Sequence, residues 1–209
     1  MIFVFDVNET LSDLGPLGRR FAEVGLPPDA SRLWFTAVLR DGIAVSAAGG
    51  LVPFADVARG VLRPMVSGDE SAVEHVLAGF LSLGVHPDVV DGVRALRAVG
   101  HQLATLSNGA ASVADGLLRR AGIRDQFGWV LSVEDAGRWK PARTAYLHAA
   151  HATATAPRDL TLVAVHPWDI DGATRAGLRT AFLDRDGAGY PGHLVPPGRT
   201  VATVGELVS

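Results

Sequence analysis

The sequence predicts an α/β fold: a doubly wound parallel sheet with an all-helical insertion after its first strand. Three observations carry this. Residues 1–5, MIFVF, are a continuous apolar run that reads as a strand buried on both faces. From Val85 onward, strand-like and helix-like stretches alternate, which implies right-handed βαβ units. Between them, residues 14–84 contain helical segments and no convincing strand.

Asp6 follows the first apolar run and so stands at the carboxyl end of its strand, the edge of an open α/β sheet where ligands bind. In the insertion, helical spacing covers about residues 18–24, 30–39, 54–62 and 72–81, separated by Pro-, Gly- and Ser-rich breaks. Placed directly after a strand, these helices lie over the carboxyl edge and can act as a lid. The glycine- and alanine-rich stretch 42–50 dilutes that lid.

Residues 86–99 then read as a helix behind Pro87 and Asp88, and 102–106 as a strand ending in Ser107-Asn108-Gly109. A helix over 111–121 is closed by Gly122. A strand over 127–133, a helix over 142–154 behind Pro141 and a strand over 160–165 follow. The last pair is a helix over 170–176, stopped by Gly177, and a strand over 180–183. The tail after Asp184 reads as loop. Its segment Gly187-Ala188-Gly189-Tyr190-Pro191-Gly192 fits G-x-G-x-x-G, but Pro191 stands where a nucleotide-binding helix would begin, so a surface turn is the better reading. The expected division is a core of residues 1–13 and 85–209 and a helical cap of residues 14–84.

Composition narrows the function classes. Hydrophobic residues are 48% and charged residues 20%, which is globular. No apolar run approaches the ~18 residues of a membrane span. A formal charge of −3 without a basic stripe argues against nucleic acid as a partner. The absence of cysteine removes disulfides, thiolate metal sites and a thiol nucleophile. No basic segment precedes the first apolar run, so a cytoplasmic location is the default expectation.

The rare residues are the informative ones. Lys140 is the only lysine among 19 basic residues, and Asn8 and Asn108 are the only asparagines. A chain that uses arginine for every other cation keeps lysine where a planar fork would not fit. Strand ends collect Asp6 and Thr10, Ser107 and Asn108, Lys140 and Asp169. Taken singly these are caps, turns or surface charges. Together they supply a nucleophilic carboxylate, hydroxyl and amide donors, and a lysine facing a second carboxylate, the needs of substitution through an aspartyl ester.

The order FDVNETL, LSNG, KPARTAY and HPWDIDGATRAG resembles the haloacid dehalogenase superfamily, and within it the (S)-2-haloacid dehalogenases, over about residues 2–185. The resemblance implies a Rossmann-like core with a helical cap. It implies hydrolytic dehalogenation of a small 2-haloalkanoic acid without a metal or other cofactor. By the same resemblance Asp6 is the nucleophile, and Arg40, in the segment WFTAVLR, and Asn108 receive the halide. Thr10 and Ser107 orient the substrate carboxylate and Asp6, while Lys140, paired with Asp169, keeps Asp6 ionised. Tyr146 matches a tyrosine of those enzymes, although a core tyrosine is an equal reading, and Arg40 beside Asp41 also reads as an exposed helix-end cation. Such enzymes are often dimers, so a homodimer is a candidate assembly.

Two rivals stand beside this reading. The superfamily's phosphatases have a second aspartate two residues after the nucleophile and a magnesium-binding acid four residues before the position of Asp169; here those positions are Asn8 and Val165. A binding protein with little turnover is the other rival, favoured by a departure: Ala164 and His166 stand where the dehalogenases carry a water-placing serine and asparagine. His166 is then expected either to replace them as a base or to signal a different substrate.

Overall fold

A computed structural model describes residues 1–208. Its sheet has six parallel strands in the order β3-β2-β1-β4-β5-β6. They are β1 (Ile2–Phe5), β2 (Gln102–Ser107), β3 (Trp129–Ser132), β4 (Leu160–Ala164), β5 (Arg179–Leu183) and β6 (Arg199–Val201). The chain lays down β1 to β3 in one direction, then crosses to β4 on the other side of β1. That reversal opens a crevice outside the carboxyl ends of β1 and β4, the place where such sheets bind ligands. Asp6 extends the ladder one residue beyond β1, donating its N–H to the Val163 carbonyl at 3.0 Å.

Both faces of β1 are buried because side chains alternate across a strand. Phe3 and Phe5 join Leu103, Val163 and Ala181 under α5 (Val89–Ala98) and α6 (Ala111–Arg120). Ile2 and Val4 point the other way, with Ala104, Leu106, Leu162 and Ala164, towards α8 (Arg143–Ala152) and α9 (Pro167–Ala176). This second core runs on without a break into α1 (Leu17–Glu23), α2 (Ala30–Ala47), α3 (Phe54–Met65) and α4 (Glu70–Leu81). Phe35, Phe54 and Phe80 form an aromatic stack there, with ring centroids 5.5–6.5 Å apart.

Several boundaries differ from the sequence reading. α2 continues eight residues past residue 39, through Gly42, where the missing side chain makes room for Trp139. A Cβ on Gly42 would lie 2.2 Å from the Trp139 ring. Ser46 Oγ accepts the Trp139 N–H at 3.1 Å, and Trp139 Nε1 donates to the Val52 carbonyl at 3.0 Å. The stretch expected to weaken the lid is therefore its contact with the residue preceding Lys140. α4 starts at Glu70 because Asp69 caps it, accepting the N–H groups of Ser71 and Ala72 at 2.9 and 3.2 Å. α9 starts at Pro167, behind His166, since proline at the first helical position loses no hydrogen bond.

The tail is not all loop. β6 pairs with β5, and a 3-10 turn over Val204–Val208 follows, anchored by the Val204 N–H to Asp88 at 2.8 Å. Three residues give too little periodicity to reveal such an edge strand. The glycine-rich segment is a turn, with Ala188 and Gly189 donating their N–H groups to Asp184 at 3.0 and 3.1 Å. We predict that Gly42→Ala costs about 1–3 kcal/mol of stability through overpacking against Trp139, measured by urea denaturation with unchanged secondary structure by circular dichroism.

Candidate active site

Four elements converge at the crevice. The loop after β1 carries Asp6, Glu9 and Thr10, and the end of β2 carries Ser107 and Asn108. The loop before α8 supplies Lys140, with Tyr146 on the helix itself. His166 caps α9, and Asp169 stands in that helix's first turn. Asp6, Thr10, Ser107, Asn108, Lys140, Tyr146 and Asp169 are buried, and His166 nearly so.

Lys140 joins two carboxylates. Its Nζ donates to Asp6 Oδ1 at 2.7 Å and to Asp169 Oδ2 at 2.6 Å. Tyr146 donates its hydroxyl to the other Asp169 oxygen at 2.7 Å. The surface-charge reading of Lys140 is thus excluded, as its side chain is 0% exposed. On Asp6, Oδ2 accepts the Thr10 hydroxyl at 2.7 Å, and Thr10 in turn accepts the Val165 N–H at 3.1 Å. Asn108 Oδ1 accepts the Lys140 backbone N–H at 2.9 Å, which fixes the amide. Its Nδ2 is buried with no partner, a donor held ready in the crevice. Ser107 Oγ accepts the Gly109 N–H at 2.9 Å, which leaves the hydroxyl hydrogen to be donated elsewhere.

His166 bridges Asp6 and Glu9. Its Nδ1 lies 3.1 Å from Asp6 Oδ2 and its Nε2 lies 2.8 Å from Glu9 Oε2. Burial opposes charge on this ring, but hydrogen bonds to the two carboxylates outweigh it and push its pKa up to about 9. The ring is therefore an imidazolium at neutral pH and donates through both nitrogens. Burial likewise opposes charge on Asp6, yet Lys140 and His166 hold its carboxyl well below the usual range. The nucleophile candidate is ionised between two cations. Burial raises the partner carboxyl of Asp169, with the charge of Asp6 adding to it.

A cleft of about 970 Å³ opens beside this cluster. Glu9, Val165 and His166 are among its lining residues, with His86, Arg32 and Arg185, whereas Asp6 does not line it. The loop is pinned around Glu9: His86 Nε2 donates to the Glu9 carbonyl at 2.9 Å and Arg185 Nη2 to the Thr10 carbonyl at 2.9 Å.

The model of the haloacid dehalogenase-like hydrolases matches residues 1–177. The chain belongs to that family. Among curated relatives, the (S)-2-haloacid dehalogenase H-109 of Pseudomonas putida is 28% identical over 212 residues, covering 98% of this chain and 94% of that enzyme. The haloacetate dehalogenase H-2 of a Moraxella species is 29% identical over 140 residues, or 67% of this chain and 62% of that enzyme. Among solved structures, the L-2-haloacid dehalogenase RSc1362 superposes with a TM-score of 0.93 at 28% identity, over 99% of this chain and 96% of that one. The L-2-haloacid dehalogenase of Xanthobacter autotrophicus with chloropropionic acid covalently bound shares the fold, at a TM-score of 0.90 and 20% identity over 99% of this chain and 96% of that one.

Two features separate this haloacid dehalogenase-like hydrolase from the sequence expectation. Arg40, expected to receive a halide, is not brought to the cluster. Its side chain is 70% exposed and bonded to Asp41 at 2.8 Å. From α2, Phe35 stacks its ring on His166 at 6.4 Å between centroids, and Ser31 and Arg32 line the cleft. Five residues of helix turn the chain by about 140° beyond a full turn, so the two side chains leave on different faces. Glu9 is the residue that sequence reasoning does not single out. It holds a left-handed backbone, φ 61°, unusual for a residue with a side chain. The one sign in the sequence is an acid between Asn8 and Thr10 in the nucleophile loop.

The donor set does not fit a magnesium ion. Position 165 offers valine, Lys140 fills the space between Asp6 and Asp169, and among the described residues no group of three His, Asp or Glu side chains is arranged to hold a metal.

The raised pKa of His166 makes a stability prediction. Its charge–charge stabilisation is fully present below the unfolded-state value of about 6.5 and is lost as pH rises through about 9. The stability lost in His166→Asn, read by urea denaturation across that range, is expected to be largest near pH 6 and to shrink steadily above it. A loss independent of pH would show that the ring is held neutral.

Proposed function

We propose that this protein hydrolyses the carbon–halogen bond of a small 2-haloalkanoic acid through an ester on Asp6, without a metal. The observation that carries the reading is the ionised, buried Asp6 compensated by the Lys140 ammonium, with acid-free Asn8 and Val165 at the positions that phosphoryl transfer needs. The named relatives support the substrate class. Residues 14–84 serve as the cap that keeps water from the reacting atoms.

Asp6 attacks the carbon bearing the halogen from behind; the new carbon–oxygen bond forms as the carbon–halogen bond breaks and the halide leaves with the electron pair. Oδ1 is the attacking oxygen in this reading, because it accepts one hydrogen bond whereas Oδ2 accepts two. Asn108 Nδ2, buried and unpartnered, receives the halide, and Ser107 orients the substrate carboxylate. Lys140 stabilises the oxyanion when water later attacks the ester carbon, and Thr10, Tyr146 and Asp169 hold the two ends of that arrangement.

The test is a single turnover of bromoacetate in ¹⁸O-water with excess enzyme, with and without EDTA. Label is expected in the Asp6 carboxylate, with halide release indifferent to EDTA. Label in the product alone, or magnesium-dependent release of phosphate from small phosphate esters with no halide release, would overturn the reading. Lys140→Arg is expected to lower turnover by at least ~10²-fold, the scale of one lost transition-state donor, since a planar fork cannot fill the space of an ammonium between two acids. Steady-state halide release measures it, and near-normal turnover would remove Lys140 from the reaction.

A further inference from the structure

The cleft beside the cluster is larger than the smallest haloacids require. At about 970 Å³ it stands at the upper end of the ~300–1,000 Å³ of sites that take drug-sized ligands, far beyond what an acid of two or three carbons fills. Part of its wall is apolar, through Leu14, Pro167, Phe182 and Leu183, and suits a run of methylene groups. His166, which contacts Asp6, also lines it, so the cleft comes within one side chain of the reacting carboxylate.

The cap sends one free cation into this space. Its arginines are Arg19, Arg20, Arg32, Arg40, Arg59 and Arg63. Arg19 and Arg20 are paired with Glu23, Arg40 with Asp41, Arg59 with Glu74 and Arg63 with Glu70. The Arg32 guanidinium has no hydrogen-bond or ion-pair partner among the described residues, and it lines the cleft from the first turn of α2. It stands one turn before Phe35, on the helix face that meets His166. The core adds Arg185, whose terminal nitrogens are taken by Asp88 at 2.6 Å and the Thr10 carbonyl at 2.9 Å, while its Nε is buried without a partner. Arg185 therefore contributes charge. Arg32 contributes a free fork, the geometry that grips a carboxylate through two parallel hydrogen bonds.

We propose that Arg32 binds a second carboxylate of the substrate, so that the preferred substrate is a 2-halo dicarboxylic acid. The inference rests on the dehalogenase reading above and deepens it. The carbon bearing the halogen stands at Asp6, the methylene chain lies along the apolar wall, and the distal carboxylate meets Arg32 and the charge of Arg185. The bond changes are those already given, and the product is a 2-hydroxy dicarboxylate. The acids of the cleft limit the charge it accepts. Glu9 is bonded to His166, Asp13 accepts the Gly15 N–H at 2.8 Å, and Asp184 accepts those of Ala188 and Gly189. Asp29 and Asp186 line the cleft as well. Against such a lining a phosphate dianion meets more repulsion than a carboxylate monoanion, so a carboxylate is the anion that the cleft selects.

The experiment measures kcat and KM for halide release from 2-chlorosuccinate, 2-chloroglutarate and 2-chloroadipate. Each is set against the acid with a methyl group in place of the distal carboxylate: 2-chlorobutanoate, 2-chloropentanoate and 2-chlorohexanoate. In the parent, at least one diacid is expected to exceed its matched monoacid by ~10-fold or more in kcat/KM, mainly through KM, the scale of one charge-assisted hydrogen bond. In Arg32→Gln that ratio is expected to fall to about one, with the change again in KM, and Arg32→Lys, which keeps the charge without the fork, to retain part of it. Arg32 is exposed, so neither variant disturbs the core. A purely structural role would lower both acids of a pair together and leave their ratio standing. Ratios near one in the parent, or a preference that survives Arg32→Gln, would overturn the assignment, while halide release from the monoacids would keep the dehalogenase reading. Halide release from neither set would overturn both.

Discussion

A single buried ammonium holds this site together. Lys140 is fully enclosed and touches carboxylate oxygens of two elements that are far apart in sequence, Asp6 after β1 and Asp169 in α9. Moving a lysine from water into such a place is costly, and the cost is offset only if its partners are close, charged and correctly aimed. The fold meets that condition through strand spacing and one side-chain amide. Adjacent parallel strands β1 and β4 set the spacing between the Asp6 loop and α9, and the Lys140 loop is tied to β2 through Asn108. Removing either acid would leave a buried cation half compensated, so the three residues function as one unit.

The inserted helices protect that unit. Gly42 and Ser46 of α2 receive Trp139, whose chain neighbour is Lys140, while Phe35 and Phe54 stack over His166 and Trp139. An aromatic wall lowers the local dielectric and excludes water, which strengthens every charge interaction beneath it. It also explains the lack of a cap arginine at the cluster. A guanidinium at the position of Phe35 would bring a further cation against a ring that already carries charge at neutral pH.

Much of this was legible in the sequence, for physical reasons that can be named. The apolar run ahead of Asp6, the alternation after Val85 and the isolated lysine each reflect a strong local demand: two-sided burial, βαβ winding and a compact cation. What was not legible depends on contacts between distant segments. Gly42 reads as part of a stretch that dilutes the lid until Trp139 is set against it, and β6 is three residues whose identity as a strand comes from β5. Arg40 illustrates the risk of carrying a role by segment. A helix distributes its side chains around an axis, and a shift of a few positions moves a cation from the pocket to the solvent.

The two cations beside Asp6 differ in kind. Lys140 also has its pKa raised, because its two carboxylates outweigh its burial, so its charge does not vary across physiological pH. His166 has its pKa pushed up to about 9 by hydrogen bonds to Asp6 and Glu9, so its charge depends on both carboxylates remaining anions. On the proposed reading Asp6, as nucleophile, needs a fixed counter-charge to stay ionised, and Lys140 supplies it. The pairing of one permanent and one titratable cation ties the ionisation of Asp6 to two elements, the loop before α8 and the cap of α9. The left-handed Glu9 holds the titratable one by its second ring nitrogen.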